Sequence, residues 1–88
     1  MYEWDENKNN SNEIKHGLRF ELAIEVFSDP RAVIQPNRKI NNEIRDQIIG
    51  SINGNIVILF VVFTKRAQKI RIISARKANK VERMIYEN

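Results

Sequence analysis

Three features of this 88-residue chain predict an α+β fold, an antiparallel β-sheet meander with two N-terminal helices and a C-terminal helix. Apolar residues recur at helical spacing from Leu18 to Phe27, Ile56–Phe63 is an unbroken β-branched and apolar run, and Asn53-Gly54 separates that run from a second strand-like segment. Helical patterns thus sit at the two ends and strands lie between them. That segregation favours α+β over a βαβ alternation.

Met1 to Asp5 alternates charged and aromatic residues, as a short strand or extended arm does, with Trp4 placed to pack on the core. Asp5 can cap a helix over Glu6–His16, which Gly17 ends by taking a positive φ. Ile14 is the only strong apolar residue in that helix, so its stability must come from docking. Leu18, Phe20, Leu22, Ala23, Val26 and Phe27 describe a second, amphipathic helix closed by Asp29-Pro30. Ala32-Val33-Ile34 is a short strand candidate ended by Gln35-Pro36-Asn37, with a polar loop expected to Ile40.

Ile44, Ile48 and Ile49 mark a strand from about Asn42 to Ile52, on which the period of two puts Glu43, Arg45 and Gln47 on one face. Asn53-Gly54 matches a type I′ turn into Asn55–Thr64, a central strand apolar on both faces. The chain turns again at Arg66-Ala67-Gln68-Lys69 into the strand Ile70–Ala75. Asn79-Lys80-Val81-Glu82 has capping-box spacing before a last helix whose buried stripe is Val81 and Ile85, with Met84 at its margin.

The length allows one domain and one small core. There is no Cys, and His16 is the only histidine, so disulfides, thiolate metal sites and recognisable zinc spacing are excluded, and no metal or cofactor is expected. No basic and apolar leader opens the sequence, and Ile56–Phe63 is too short to span a bilayer, which predicts a cytoplasmic protein without a membrane partner.

Charge is segregated. Residues 65–88 hold eight Lys or Arg against two Glu, whereas residues 1–30 hold three against seven acidic groups. A concentrated positive surface suits a phosphate backbone. No phosphate loop or nucleophile motif is present, but RNA carries its own nucleophile, the 2′-hydroxyl. Cleaving RNA needs only a proton acceptor, cations for the phosphorane and a proton for the leaving 5′-oxygen.

Arg45, Arg66, Arg71 and Arg76 are the candidate cations, yet Arg71 and Arg76 point to opposite faces of a regular strand. They share a face only if a bulge or the strand end intervenes near Ser74. His16 suits a proton shuttle or a C-terminal helix cap, and Glu43 suits a base or an ion pair with Arg45. Tyr86 is an acid–base candidate or a packed ring with a wet hydroxyl. Trp4, Tyr2 and Phe20 are base-stacking candidates or core.

Along its whole length the chain resembles the BrnT family of type II toxins. The likeness is carried by Tyr2-Glu3-Trp4-Asp5, Lys15-His16-Gly17, Asp29-Pro30, Glu43-x-Arg45, Val62-Phe63-Thr64-x-Arg66, Glu82-Arg83 and Tyr86, and above all by Arg71-Ile72-Ile73-Ser74-Ala75-Arg76-Lys77-Ala78. Asn55 stands where an Arg is common in that family. The resemblance implies a RelE-like ribonuclease toxin that arrests translation. It also implies a BrnA-like ribbon-helix-helix antitoxin as partner, with operator DNA bound only through the complex.

On that reading, a metal-independent endoribonuclease would use Arg66, Arg71 and Arg76 at the scissile phosphate and His16 or Glu43 for proton transfer. Arg45, Lys77, Lys15, Thr64 and Tyr86 would contact the flanking RNA. The alternative is a non-catalytic nucleic-acid or protein-binding module acting as corepressor.

Overall fold

Val57–Arg66 (β4) is paired along both edges, and its apolar residues make it the centre of the sheet in the computed structural model. The backbone is described for residues 1–88 and side chains for all except residues 36–38. Four strands form an antiparallel meander: Val33–Ile40 (β2), Glu43–Ile52 (β3), β4 and Lys69–Lys77 (β5). A fifth, Tyr2–Glu3 (β1), adds to β5 in parallel, giving the order β1-β5-β4-β3-β2. The sheet is therefore mixed, where the sequence predicts an antiparallel one. No hairpin links β1 to β5, so no turn constrains their relative direction.

The first helix (α1, Glu6–His16) has the predicted ends. Asp5 accepts from the Asn7 N–H at 2.8 Å, and Gly17 takes φ 71°. Its docking is polar, since Ile14 is 88% exposed while Asn9 and Asn12 are buried. Asn12 Oδ1 accepts from the Ala75 N–H at 3.1 Å and its Nδ2 donates to the Ala75 carbonyl at 2.8 Å. One side chain thereby does for the free edge of β5 what a neighbouring strand does elsewhere. Asn9 in turn accepts from the Phe20 N–H at 2.7 Å and donates to Glu21.

The second predicted helix is broken up. Phe20–Ala23 is one α-helical turn (α2), and Ile24–Ser28 is a 3₁₀ segment. The β-branched Ile24 and Val26 favour long α-helix weakly, and the tighter segment presses Val26 against Gly50 of β3, where a Cβ would meet Val26 Cβ at 3.0 Å.

β2 replaces the predicted polar loop. It is an edge strand, where a proline within the segment removes no ladder bond that a partner needs, and its pairing shifts register between Gln35 and Arg38. A two-residue turn, Asn41-Asn42, connects it to β3 with φ 52° and 63°, the geometry predicted for Asn53-Gly54. Asn53-Gly54 instead begins a four-residue connection, with Ile52 opposite Val57 and positive φ at Asn53, Gly54 and Asn55.

Ile48, Ile52, Leu59, Val61, Phe63, Ile72 and Ala75 line one face of the sheet and pack with Leu18, Phe20, Ala23 and Val26 as the core. Tyr2, Trp4 and Phe27 join it: Trp4 meets Phe20 edge-on at 6.1 Å and Phe27 lies 5.4 Å from Tyr2. These aromatics are core, not base-stacking platforms. The last helix (α3, Lys80–Glu87) has the predicted capping box and lies across part of the opposite face, leaving Val81 exposed and seating Tyr86. No helix of the described residues is long and apolar enough to cross a membrane.

Candidate nucleic-acid interface

The decisive local feature is in β5. Ser74 pairs with Val62 and Ile72 with Phe63, so Ile73 is an extra residue without a partner on β4. This bulge restores the parity that a regular strand lacks: Arg71 faces the same side as Thr64, and Arg76 the same side as Phe60. Glu43, Arg45 and Gln47 share that face from β3, and Glu3 joins it from β1, opposite Arg71. Its upper part is open. The lower part lies under α3.

On the open part, Arg66 Nη2 donates to Glu43 Oε2 at 2.8 Å and Arg71 Nη1 lies 3.5 Å from Glu3 Oε2. Arg66 holds the Glu43 carboxyl below the usual carboxylate range, with Arg45 and Arg71 adding to the effect against partial burial. A carboxylate so held is a weak base and a good anchor for guanidinium groups. Arg45 Nε sits 3.8 Å from Glu43 Oε1 and is buried without a hydrogen-bond partner among the described residues. A buried donor left open costs stability unless a ligand completes it. At the end of the sheet, around the edge from Glu43 and Arg66, a concavity of about 480 Å³ is lined also by Asn42, Ile44, Asp46 and Lys65.

Arg76 is placed differently. Its guanidinium makes a bidentate pair with Glu82, 2.8 Å on each branch, and lies 4.4 Å from the centre of the Phe60 ring. Partial burial raises the Glu82 carboxyl, but Arg76 and the Asn79 N–H outweigh that and keep it below its ordinary value. Glu82 is thus both the capping-box carboxylate and the partner of Arg76. The Arg76 charge is balanced within the molecule.

Thr64 is 2% exposed, and its hydroxyl donates to the Ile44 carbonyl at 2.7 Å, where it ties β4 to β3. Tyr86 is buried, and its hydroxyl is not wet: it donates to Asp29 Oδ2 at 2.6 Å. Neither presents a group to RNA in this arrangement. Lys77 is exposed at the end of β5. His16, half-buried in the last turn of α1, shares a cavity of about 200 Å³ with Lys15, Lys8, Asn12, Ile73 and Ser74. It therefore adjoins the bulge at the rim of the basic face.

Two features were not anticipated from the sequence. Glu3 neutralises Arg71, which only the parallel pairing of β1 could disclose. Asp29 gathers Tyr86 Oη, the Ser51 N–H at 2.8 Å and the Ser51 hydroxyl at 2.9 Å, fastening α3 to β3 and to the turn before β2. Asp29-Pro30 had signalled only a helix stop.

The open face carries three arginines with two carboxylates, Glu43 beside Arg45 and Arg66 and Glu3 beside Arg71, a histidine at its rim, and no set of three or more His, Cys, Asp or Glu gathered as metal ligands among the described residues. Such a surface can hold a phosphodiester and offer a proton carrier beside it. No curated protein matches the chain. The family model for the ribonuclease toxin, BrnT, of type II toxin–antitoxin systems matches residues 4–82, nearly the whole sequence. The chain belongs to the BrnT family of ribonuclease toxins.

Proposed function

We propose that this protein is a metal-independent endoribonuclease toxin that cleaves RNA, arrests translation and is neutralised by a BrnA-like ribbon-helix-helix antitoxin. The toxin–antitoxin complex, not the toxin alone, would bind operator DNA. The observation that carries the catalytic reading is the β3–β4–β5 register, in which Arg71 lies opposite Thr64 and so shares a face with Arg45, Arg66 and Glu43, while the Ile73 bulge adds Arg76 to that face.

In this mechanism Arg45, Arg66 and Arg71 bind the scissile phosphate and stabilise the charge that builds on its non-bridging oxygens. The 2′-oxygen forms a bond to phosphorus as its proton leaves, and the bond from phosphorus to the 5′-oxygen breaks as that oxygen takes up a proton. The products are a 2′,3′-cyclic phosphate and a 5′-hydroxyl. His16 is the proton carrier at the rim. Glu43, held ionised by Arg66, orients arginines and does not itself move protons. Arg76, engaged by Glu82, supports the face from below, while Lys77 and Lys15 attract the flanking backbone.

The test is cleavage of a synthetic RNA with EDTA present, with and without ribosomes. Wild type releases fragments ending in cyclic phosphate, and Arg71→Ala and Arg45→Ala, still folded by circular dichroism, lose at least about a hundredfold in rate. RNA left intact under both conditions overturns the reading. Salt-dependent binding without fragments would instead identify a binding module.

A further inference from the structure

Beside the arginine cluster, on the same face, a groove of about 310 Å³ runs between β2–β3 and α3, lined by Gln35, Gln47, Ile49, Phe60, Val81 and Ile85. Gln35 and Gln47 are directly opposite in the β2–β3 register, so their carboxamides stand side by side. Both are half-buried, and neither makes a side-chain hydrogen bond to any described residue. Ile49, Phe60, Val81 and Ile85 supply apolar and aromatic walls, and Asn79 and Glu82 close the end at the α3 cap. Among the described residues the charged lining group is Glu82, whose oxygens are already taken by Arg76 and the Asn79 N–H.

We infer that this groove is a nucleobase site, which takes one unstacked base of the RNA flanking the scissile phosphate, with adenine preferred. The inference rests on the ribonuclease reading of the neighbouring arginines. A phosphate is disfavoured, because the described lining holds a carboxylate and no cation. A flat apolar ring with hydrogen-bonding edges does fit, and the volume is at the lower end for small-molecule sites. Glutamine pairs in bidentate fashion with the adjacent donor and acceptor of adenine. Spacing agrees as well. Gln47 is two residues from Arg45 on one face of β3, about 6–7 Å along the strand, so a phosphate at Arg45 leaves its neighbouring base at the groove. Phe60, backed by Arg76, supplies an aromatic wall.

The test has two arms on the full chain. In the first, the side-chain amide signals of Gln35 and Gln47 are followed by NMR during titration with AMP, CMP, GMP, UMP and ribose 5-phosphate. AMP shifts them at lower concentration than the others do. No shift with any nucleotide at millimolar concentration, or equal shifts with all five compounds, overturns the site whether or not the protein cleaves RNA. In the second arm, cleavage is mapped on an RNA of balanced composition. Gln47→Leu retains cleavage but loses roughly tenfold of the preference for sites flanked by adenine. An unchanged base preference in that folded variant also overturns the site, whereas failure of wild type to cleave bears on the ribonuclease reading and leaves the first arm decisive.

Discussion

Replacing Asp29 by Asn tests how the C-terminal helix is held, and the structure gives the size of the effect. Burial pushes the Asp29 carboxyl up, but hydrogen bonds from Tyr86 Oη, the Ser51 and Arg31 N–H groups and the Ser51 hydroxyl outweigh it and bring its pKa to about 2. A carboxyl at about 2 when folded and near 3.8 when unfolded is more acidic in the native state, so it stabilises the fold at every pH above 3.8. That contribution disappears as pH falls from about 4 through 2. The difference corresponds to about 2.4 kcal/mol, reduced to about 1–2 kcal/mol because Asp29 keeps some contact with solvent.

Urea unfolding of wild type and Asp29→Asn at a series of pH values reads this directly. At pH 7 the variant loses at least about 1–2 kcal/mol, or about 5–15 °C in Tm for a chain of this size. At pH 2.5 the native carboxyl, with a pKa of about 2, is still largely ionised, so part of the deficit remains there. The gap between the two proteins therefore narrows by about 1–2 kcal/mol between pH 6 and pH 2.5 without closing. A gap that stays constant over that range would show that Asp29 is not held ionised by Tyr86 and Ser51, and the account of α3 anchoring would fail.

Two further substitutions probe the framework. Asn12→Ala removes both hydrogen bonds to Ala75 and the one to the Leu18 carbonyl, and unfolds the protein at lower urea by about 2–4 kcal/mol; Ile14→Lys on the same helix, at an 88% exposed site, changes stability by less than about 0.5 kcal/mol. Gly50→Ala, often harmless in a strand, places a Cβ 3.0 Å from Val26 Cβ and 3.1 Å from the Val26 carbonyl oxygen, and costs about 1–3 kcal/mol in the same measurement.

Local signals were legible where a few adjacent residues decide the outcome. Asp5, Gly17 and the Asn79–Glu82 box delimit their helices as predicted, because a cap depends on three or four neighbouring positions. The strand from Val57 was equally plain from its β-branched residues. Longer-range effects were hidden. Pro36 read as a terminator since its cost depends on whether the strand lies at an edge, and only the assembled sheet decides that. Thr64 and Tyr86 read as polar groups available to a ligand, yet their partners, Ile44 and Asp29, are 20 and 57 residues away. The polar helix α1 carried one readable hint. With Ile14 as its only strong apolar residue it had to be held by docking, whereas the means, hydrogen bonds from the buried Asn9 and Asn12, showed only in the structure.

The bulge at Ile73 joins the edge of the sheet to the arrangement of its charged face. Upstream, Ile70 and Arg71 have β1 as their outer neighbour; downstream, Ala75 has the Asn12 carboxamide instead. A strand partner and a single side chain on a helix cannot follow the same straight edge, and the extra residue falls between the two, where the outer neighbour changes. The same insertion reverses side-chain parity, so Ala75 returns to the core while Arg71 and Arg76 come to one face. Core packing and the basic face thus depend on one backbone irregularity. With a regular strand, burying both Ile72 and Ala75 on the same side is impossible, as residues three apart face opposite ways. The apolar requirement of the core at Ala75 therefore forces the bulge, and the alignment of the arginines follows from it.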